Sequence, residues 1–122
     1  MSKLTVTARR IDNASKQRTQ CAVVPVFEKT RLSGAARGLD KASGGVISDL
    51  VALGDFSGKR GQSQMLPGPK PVQRILLVGC GERDKFDRKG QLEFASNLGR
   101  ALKGTQATDA VLYLDDLPTK TR

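Results

Sequence analysis

The first half of the chain changes from strand-like to helix-like spacing of its apolar residues. Residues 4–8 alternate apolar side chains with threonines, and a nearly continuous apolar run covers residues 21–27, so each segment predicts a strand. Over residues 32–53 the spacing becomes helical, and two glycines after Ser43 predict a break between two short helices. Gly54 is expected to end the second helix. The inward face expected for that helix comprises Val46, Ile47, Leu50, Val51 and Leu53.

The second half of the chain repeats the alternation of strand and helix. A short strand is expected over 62–66, a buried strand over 74–81, a helix over 87–103 and a last strand over 110–114. Together the segments predict a single α/β domain, residues 1–122, with a mixed or largely parallel sheet. Pro25 has no N–H for a strand ladder, which confines it to an edge, a bulge or a strand end. The helix over 87–103 is expected to bury Leu92, Ala95, Leu98, Ala101 and Leu102.

Composition excludes several kinds of catalytic site. The 122 residues contain no His, which excludes Ser-His and Cys-His nucleophiles and zinc sites that need imidazole. Cys21 and Cys80 lie far apart in apolar runs, so both are expected to be buried thiols in a reducing compartment. Neither a signal sequence nor an apolar run of membrane-spanning length is present. We therefore expect a soluble, cytoplasmic protein that does not enter a membrane.

Positive charge is the strongest compositional signal. The chain carries 21 Lys and Arg against 12 Asp and Glu, a formal net charge of +9. The densest cationic stretch contains Arg9, Arg10, Lys16 and Arg18, in a polar segment that predicts a turn or loop. A solvated loop accounts for this stretch, and a patch that contacts nucleic-acid phosphates is the alternative. The five aromatic residues mostly fall in apolar patterns, which predict core positions rather than rings that stack on bases.

Two other patterns resemble functional sites and favour structural roles. Gly79 and Gly81 follow a predicted strand in the manner of a dinucleotide fingerprint, but Asp84 stands where its third glycine belongs. Tight turning after a buried strand accounts for these glycines without a ligand. The carboxylates do not cluster in the way that a two-metal hydrolytic site requires, and Glu82 is expected to form ordinary surface ion pairs.

Five segments carry a resemblance to a known family: Val-Pro-Val-Phe-Glu (24–28), Leu-Ser-Gly-Ala-Ala (32–36), Leu-Asp-Lys-Ala-Ser-Gly-Gly (39–45), Gly-Asp-Phe-Ser-Gly-Lys-Arg-Gly-Gln (54–62) and Arg-Ile-Leu-Leu-Val-Gly-Cys-Gly (74–81). In order and spacing, they resemble the N-terminal domain of leucyl aminopeptidases, also called cytosol aminopeptidases. The resemblance runs from about residue 21 to residue 117, and it implies a macro-domain-like α/β fold with a mixed sheet between helices. Pro25 stands where the family usually has Gly, and the loop over 64–69 is shorter than usual.

The resemblance also implies a division of labour within a longer parent protein. In the family, a C-terminal domain holds two divalent metal ions, manganese or zinc, on Asp, Glu and Lys side chains, and it removes N-terminal residues, preferably Leu, from peptide substrates. The hallmark Asn-Thr-Asp-Ala-Glu-Gly-Arg is not in this chain, and its partial match at 108–110 is read as coincidence. No catalytic residue, metal ligand or cofactor is therefore expected in these residues, and the 122-residue chain alone is expected to be inactive.

The roles implied for this domain are assembly of a homohexamer, control of access to the active sites, or contact with partners, its own catalytic domain included. The alternative is a basic DNA-binding module of a bifunctional aminopeptidase. Binding of ADP-ribose is a third reading, which rests on fold analogy alone.

Overall fold

Strands and helices alternate along the chain in the computed structural model, as an α/β fold requires. The structure describes residues 5–9, 19–28, 34–54, 56–82, 85–105 and 109–113. In these residues, five strands form one sheet with the order β1-β5-β2-β4-β3. The strands are β1 (Thr5–Arg9), β2 (Ala22–Val26), β3 (Ser63–Pro67), β4 (Arg74–Gly79) and β5 (Asp109–Tyr113), and the helices are α1 (Gly34–Ala42), α2 (Val46–Ala52) and α3 (Arg88–Lys103).

The sheet is mixed, as predicted. Strands β1, β5, β2 and β4 run parallel, and β3 pairs antiparallel with β4 at the edge. Helices α1 and α2 cover one face, where Leu39 and Ile47 pack on Val24 and Leu77. Helix α3 covers the other face and packs on residues that include Val23. Since both faces of the central strands are covered, β2 is buried along its whole length.

Pro25 lies in a central strand rather than at the edge of the sheet. The N–H of Val111 in β5 donates to Cys21 O, and the N–H of Cys80 donates to Val26 O on the β4 side. Successive residues of a strand face opposite neighbours, so the nitrogen of Pro25 faces the β5 side. Pairing between β2 and β5 ends at Val23, before Pro25 is reached. The missing N–H of Pro25 therefore interrupts no ladder bond, and the strand stays regular.

The break between α1 and α2 is confirmed. Gly44 and Gly45 have φ angles of 82° and 91°, a region that glycine enters without a steric penalty. Asp40 of α1 replaces the missing side-chain cap of α2, because its Oδ1 accepts from the N–H groups of Ile47 at 2.8 Å and Ser48 at 2.9 Å. Gly54, at φ 83°, directly follows Leu53, the C-cap residue of α2, so the helix ends where predicted.

The inward face expected for α2 was too wide. Ile47 is buried and Val46 and Leu50 are partly buried against the core, whereas Val51 is 42% exposed and Leu53 is 74% exposed. Leu53 caps the helix and lies about 120° around the axis from Ile47, which carries it away from the sheet. Val51 lies one turn after Ile47, at the margin of the core.

The inward face expected for α3 was partly wrong. Leu98 and Leu102 are buried as predicted, but Leu92 is 65% exposed and Ala95 is also exposed. The buried stripe repeats every fourth residue, and its largest member is Phe94, which lies about 200° around the helix from Leu92. Phe94 stacks edge-on with Phe86 at 6.5 Å, and Phe86 with Phe27 at 5.2 Å. The stripe comprises Gly90, Phe94, Leu98 and Leu102.

The predictions of buried cysteines and buried aromatic rings are confirmed, whereas residue 4 and the burial of residues 5–8 lie outside what the structure describes. Cys21 and Cys80 are buried thiols and are not joined in a disulfide. All five aromatic side chains are buried, so none is available to stack on a base. These rings belong to Phe27, Phe56, Phe86, Phe94 and Tyr113.

Candidate functional site

The N-terminal cations are only partly described by the structure. Arg9 is the last residue of β1, and its backbone pairs with Tyr113 of β5. Arg10, Lys16 and Arg18 lie outside the described residues. The patch that these four residues were predicted to form stays a prediction.

The carboxyl ends of β2 and β4 are covered by the chain itself, in the loop formed by residues 56–62. The N–H of Gly79 donates to Gln62 O at 2.8 Å, and the N–H of Gly81 donates to Gly58 O at 2.8 Å. A Cβ atom on Gly79 would lie 2.0 Å from Lys59 O. A phosphate could reach these two amides only by displacing the loop. Tight turning thus accounts for Gly81, at φ 79°, whereas Gly79 ends β4 and is required by the close approach of the loop rather than by a turn. Both roles are structural, and they disfavour a dinucleotide at this point.

One side chain holds the 56–62 loop in shape. Gln62 Oε1 accepts from three consecutive backbone N–H groups, those of Ser57 at 3.0 Å, Gly58 at 3.0 Å and Lys59 at 3.1 Å. The Ser57 hydroxyl approaches the same oxygen at 3.3 Å. Three convergent amides form a concave group of donors of the kind that binds anions, and here the chain's own amide oxygen fills it.

Arg60 fastens this loop to the start of α3. Its Nε lies 3.3 Å from Glu93 Oε1, and its Nη2 donates to Lys85 O at 3.0 Å. Gly90 lies beneath the guanidinium, because a Cβ there would be 3.0 Å from Arg60 Nη2. Gly81 lies under the stem of the same side chain, with its ideal Cβ position 3.4 Å from Arg60 Cβ.

The start of α3 gathers further charges. Asp87 caps the helix by accepting from the Gly90 N–H at 2.9 Å, and that hydrogen bond lowers the pKa of the Asp87 carboxyl. Lys85 Nζ and Glu82 Oε2 form a surface ion pair at 3.1 Å, as predicted for Glu82. This end of the helix is therefore a network of exposed charges around the more fixed Arg60.

A crevice of about 320 Å³ opens between the 56–62 loop and α3. Two arginines line it, and its single carboxylate, Glu93, is already engaged by Arg60. Arg100 donates to Asn97 Oδ1, a neutral acceptor on the same helix. No carboxylate in the part of the chain that the structure describes lies within ion-pair distance of Arg100. The lining residues are Arg60, Gly61, Glu93, Ser96, Asn97 and Arg100.

Comparison with known proteins decides the family. The sequence model of the cytosol aminopeptidase family, N-terminal domain, matches residues 23–122. The chain belongs to this family. A probable cytosol aminopeptidase of Thioalkalivibrio sulfidiphilus (strain HL-EbGR7) is 44% identical over 112 residues, which cover 90% of this chain and 23% of that protein. One of Halorhodospira halophila (strain DSM 244 / SL1) is 40% identical over 110 residues, covering 88% and 22%.

The fold is shared with a solved leucine aminopeptidase. A mutant of the tomato enzyme superposes with a TM-score of 0.69 at 23% sequence identity, covering 91% of this chain and 23% of that one. This cytosol aminopeptidase domain therefore spans less than a quarter of the length of the relatives that it matches.

Asp109, the middle residue of the partial match at 108–110, has a structural role. Asp109, the first residue of β5, accepts from Thr19 Oγ1 at 2.8 Å and from the Gln20 N–H at 2.9 Å. These bonds tie β5 to the segment that enters β2. Across the described ranges, no three His, Cys, Asp or Glu side chains gather as a metal site would require. In those ranges, too, no helix has the length and apolar character needed to cross a bilayer.

Neither Gln62 nor Arg60 was singled out from the sequence. The segment 55–71 is rich in turn-forming residues, and that signal predicts a loop without indicating what holds it. Gly58 and Gly61, both at positive φ, are the local signal that the loop adopts a defined shape.

Proposed function

We propose that this chain is the non-catalytic N-terminal domain, residues 1–122, of a metal-dependent leucyl aminopeptidase. The supporting observation is the match to the N-terminal domain of the family over residues 23–122, in a chain that spans only 22–23% of its relatives. The parent protein would release N-terminal residues, preferably Leu, from peptides in the cytoplasm.

The two metal ions of the parent, manganese or zinc, belong in this proposal to the catalytic domain. The described residues do not fit such a site, because they contain no cluster of three or more candidate ligands. The two carboxylates beside Arg60, those of Asp87 and Glu93, are each engaged in capping or ion pairing. No step of peptide hydrolysis is therefore assigned to this domain.

The domain would act through its surface. Its 56–62 loop covers the carboxyl ends of the strands, where many α/β proteins bind ligands. We therefore assign this domain a binding or structural role rather than a catalytic one. Assembly of a homohexamer, control of access to the active sites and contact with its own catalytic domain are the roles proposed for it.

Hydrolysis of leucine p-nitroanilide tests the proposal. The 122-residue chain is expected to give no turnover with added manganese or zinc, and the full-length parent is expected to be active with either metal. A parent lacking residues 1–122, compared by light scattering with the intact one, tests the role in assembly. Metal-dependent turnover by the 122-residue chain would overturn the assignment.

A second function is proposed on the net charge of +9, which favours binding of duplex DNA through phosphates. The contacts would include Arg9, Arg10, Lys16 and Arg18. The measurement is DNA affinity as a function of salt, and each substitution that removes one phosphate-binding cation should reduce the log–log slope by about 0.9. Absence of binding at a low salt concentration of roughly 50 mM would contradict this function.

A further inference from the structure

The crevice beside α3 carries more positive charge than its own carboxylate neutralises. Arg60, Arg100 and Glu93 line it, and Glu93 Oε1 lies 3.3 Å from Arg60 Nε. Glu93 Oε1 is screened from solvent, and its approach to Arg60 lacks the alignment of a hydrogen bond. The charge on Arg100 faces only the neutral amide of Asn97 within the described residues.

The donors that line the crevice are held in place before any ligand arrives. The Lys85 carbonyl, Glu93 and the surface of Gly90 fix the Arg60 guanidinium, and the guanidinium of Arg100 contacts Asn97. Because Arg60 is already held by these contacts, a ligand would lose less binding energy to immobilising it. Each guanidinium has five N–H donors, and the contacts described above engage a minority of them.

Helix α3 also contributes the hydroxyl of Ser96 and two lysines, all on the stripe of the helix that contains Arg100. Ser96 lies four residues before Arg100, so both occupy one stripe of the helix. Lys89 and Lys103 extend this stripe in both directions and are exposed. Their positive potential would concentrate anions near the crevice without contacting the bound group.

We propose that this crevice binds the phosphate group of a phosphate monoester. A tetrahedral phosphate can accept from two guanidinium groups and a hydroxyl at once and also offsets the charge left on Arg100, whereas a carboxylate offers only a planar pair of acceptors. The volume of about 320 Å³ lies at the lower end of the range for ligand sites, which suits a phosphate with a small organic substituent.

The test is a titration of the isotopically labelled 122-residue chain, followed by amide and arginine Nε–H NMR signals at constant ionic strength. Inorganic phosphate and methyl phosphate should produce saturable shifts at Ser96, Asn97 and Arg100. Acetate is the carboxylate probe and a short duplex DNA is the phosphodiester probe. Arg100→Gln should weaken phosphate binding roughly tenfold or more, the loss expected for a charge-assisted hydrogen bond.

Lys103→Gln is the matched control, since it removes the same charge from the same stripe outside the crevice lining. It should change the affinity less than about twofold, as expected for an exposed charge in salt. Equal weakening by the two substitutions, shifts that never saturate, or acetate binding as tight as phosphate would each overturn the proposal. The proposal would also be overturned if the DNA probe bound more tightly than phosphate and its binding depended on Arg100. The outcome is independent of peptide hydrolysis, so it can fail while the proposed function stands.

Discussion

Replacing Gln62 by alanine removes the one acceptor on which the 56–62 loop converges. The substitution leaves the N–H groups of Ser57, Gly58 and Lys59 without their partner. Ser57 and Lys59 are exposed, so water can replace their hydrogen bonds to Gln62, but Gly58 is buried. The alanine variant should therefore lose stability chiefly through the Gly58 amide.

The magnitude follows from these three bonds. A buried donor without a partner costs about 1–3 kcal/mol, and the two solvated amides add a few tenths each. We expect a total loss of about 2 kcal/mol in the free energy of unfolding, or about 8 °C in Tm for a domain of this size. Chemical denaturation followed by circular dichroism measures the first quantity, and a thermal melt measures the second.

Gln64→Ala is the matched control. Gln64 is the same residue type in the adjoining strand, half-buried like Gln62, and its one described side-chain contact is a long one, from Nε2 to Met65 O at 3.5 Å. Its replacement should change stability by less than about 0.5 kcal/mol. Equal losses in the two alanine variants would refute the role given to Gln62.

A charged acceptor gives an independent check of the same geometry. In Gln62→Glu, hydrogen bonds from the three N–H groups should lower the pKa of the new carboxyl in the folded state. A lowered folded pKa adds stability above the unfolded pKa, and that stability is lost as pH falls through the folded pKa. The stability of Gln62→Glu relative to Gln62→Ala should therefore increase as the pH rises from acidic to neutral. A stability difference between the two variants that does not change with pH would contradict the convergence of the three amides on this position.

Three further outcomes follow from contacts elsewhere in the fold. Asp40→Ala removes the cap of α2 and should cost about 1 kcal/mol in denaturant titrations. Gly79→Ala should prevent folding or cost more than about 3 kcal/mol of stability, because the new Cβ would collide with the Lys59 carbonyl. Gly99→Ala, which has open space around it in α3, should instead stabilise the domain by about 0.5–1 kcal/mol. Similar Tm values for the two variants would contradict this account. Burial raises the pKa of the Cys21 thiol from 9.0 to about 11, so the unfolded chain ionises first and stability should fall between those pH values; Cys21→Ala should remove that part of the slope.

The order of elements could be predicted because it depends on local patterns. The continuous apolar runs at β2 and β4 and the glycine pair after Ser43 each match what the structure shows. The inward face of α3 could not be chosen from spacing alone, since Leu92 and Phe94 are both apolar and lie on opposite sides of one helix. The choice depends on where the other aromatic rings lie, and although Phe86 directly precedes the helix, the ring that it packs on, Phe27, comes from a distant segment.

The polar contacts of the candidate site lay beyond sequence reasoning for a related reason. Arg60 meets the Lys85 carbonyl and Glu93, which lie 25 and 33 positions further along the chain. No periodicity links such positions, and a lone arginine in a turn-rich segment has the same pattern as any solvated cation. The resemblance of whole segments to a known family predicted the fold, but it did not indicate the contacts of single residues such as Arg60.

The pairing of β1 with β5 has a consequence for how the chain folds. Thr5 lies opposite Asp109, so the two strands are about 100 residues apart in the sequence. During synthesis, β1 leaves the ribosome first but cannot take its native place until β5 has followed it and joined β2. Pairing over so long a loop raises the entropic barrier, which makes the docking of β1 a late and slow event. The sheet therefore has an unpaired edge in the nascent chain, and at that stage pairing of this edge with another chain would start misassembly.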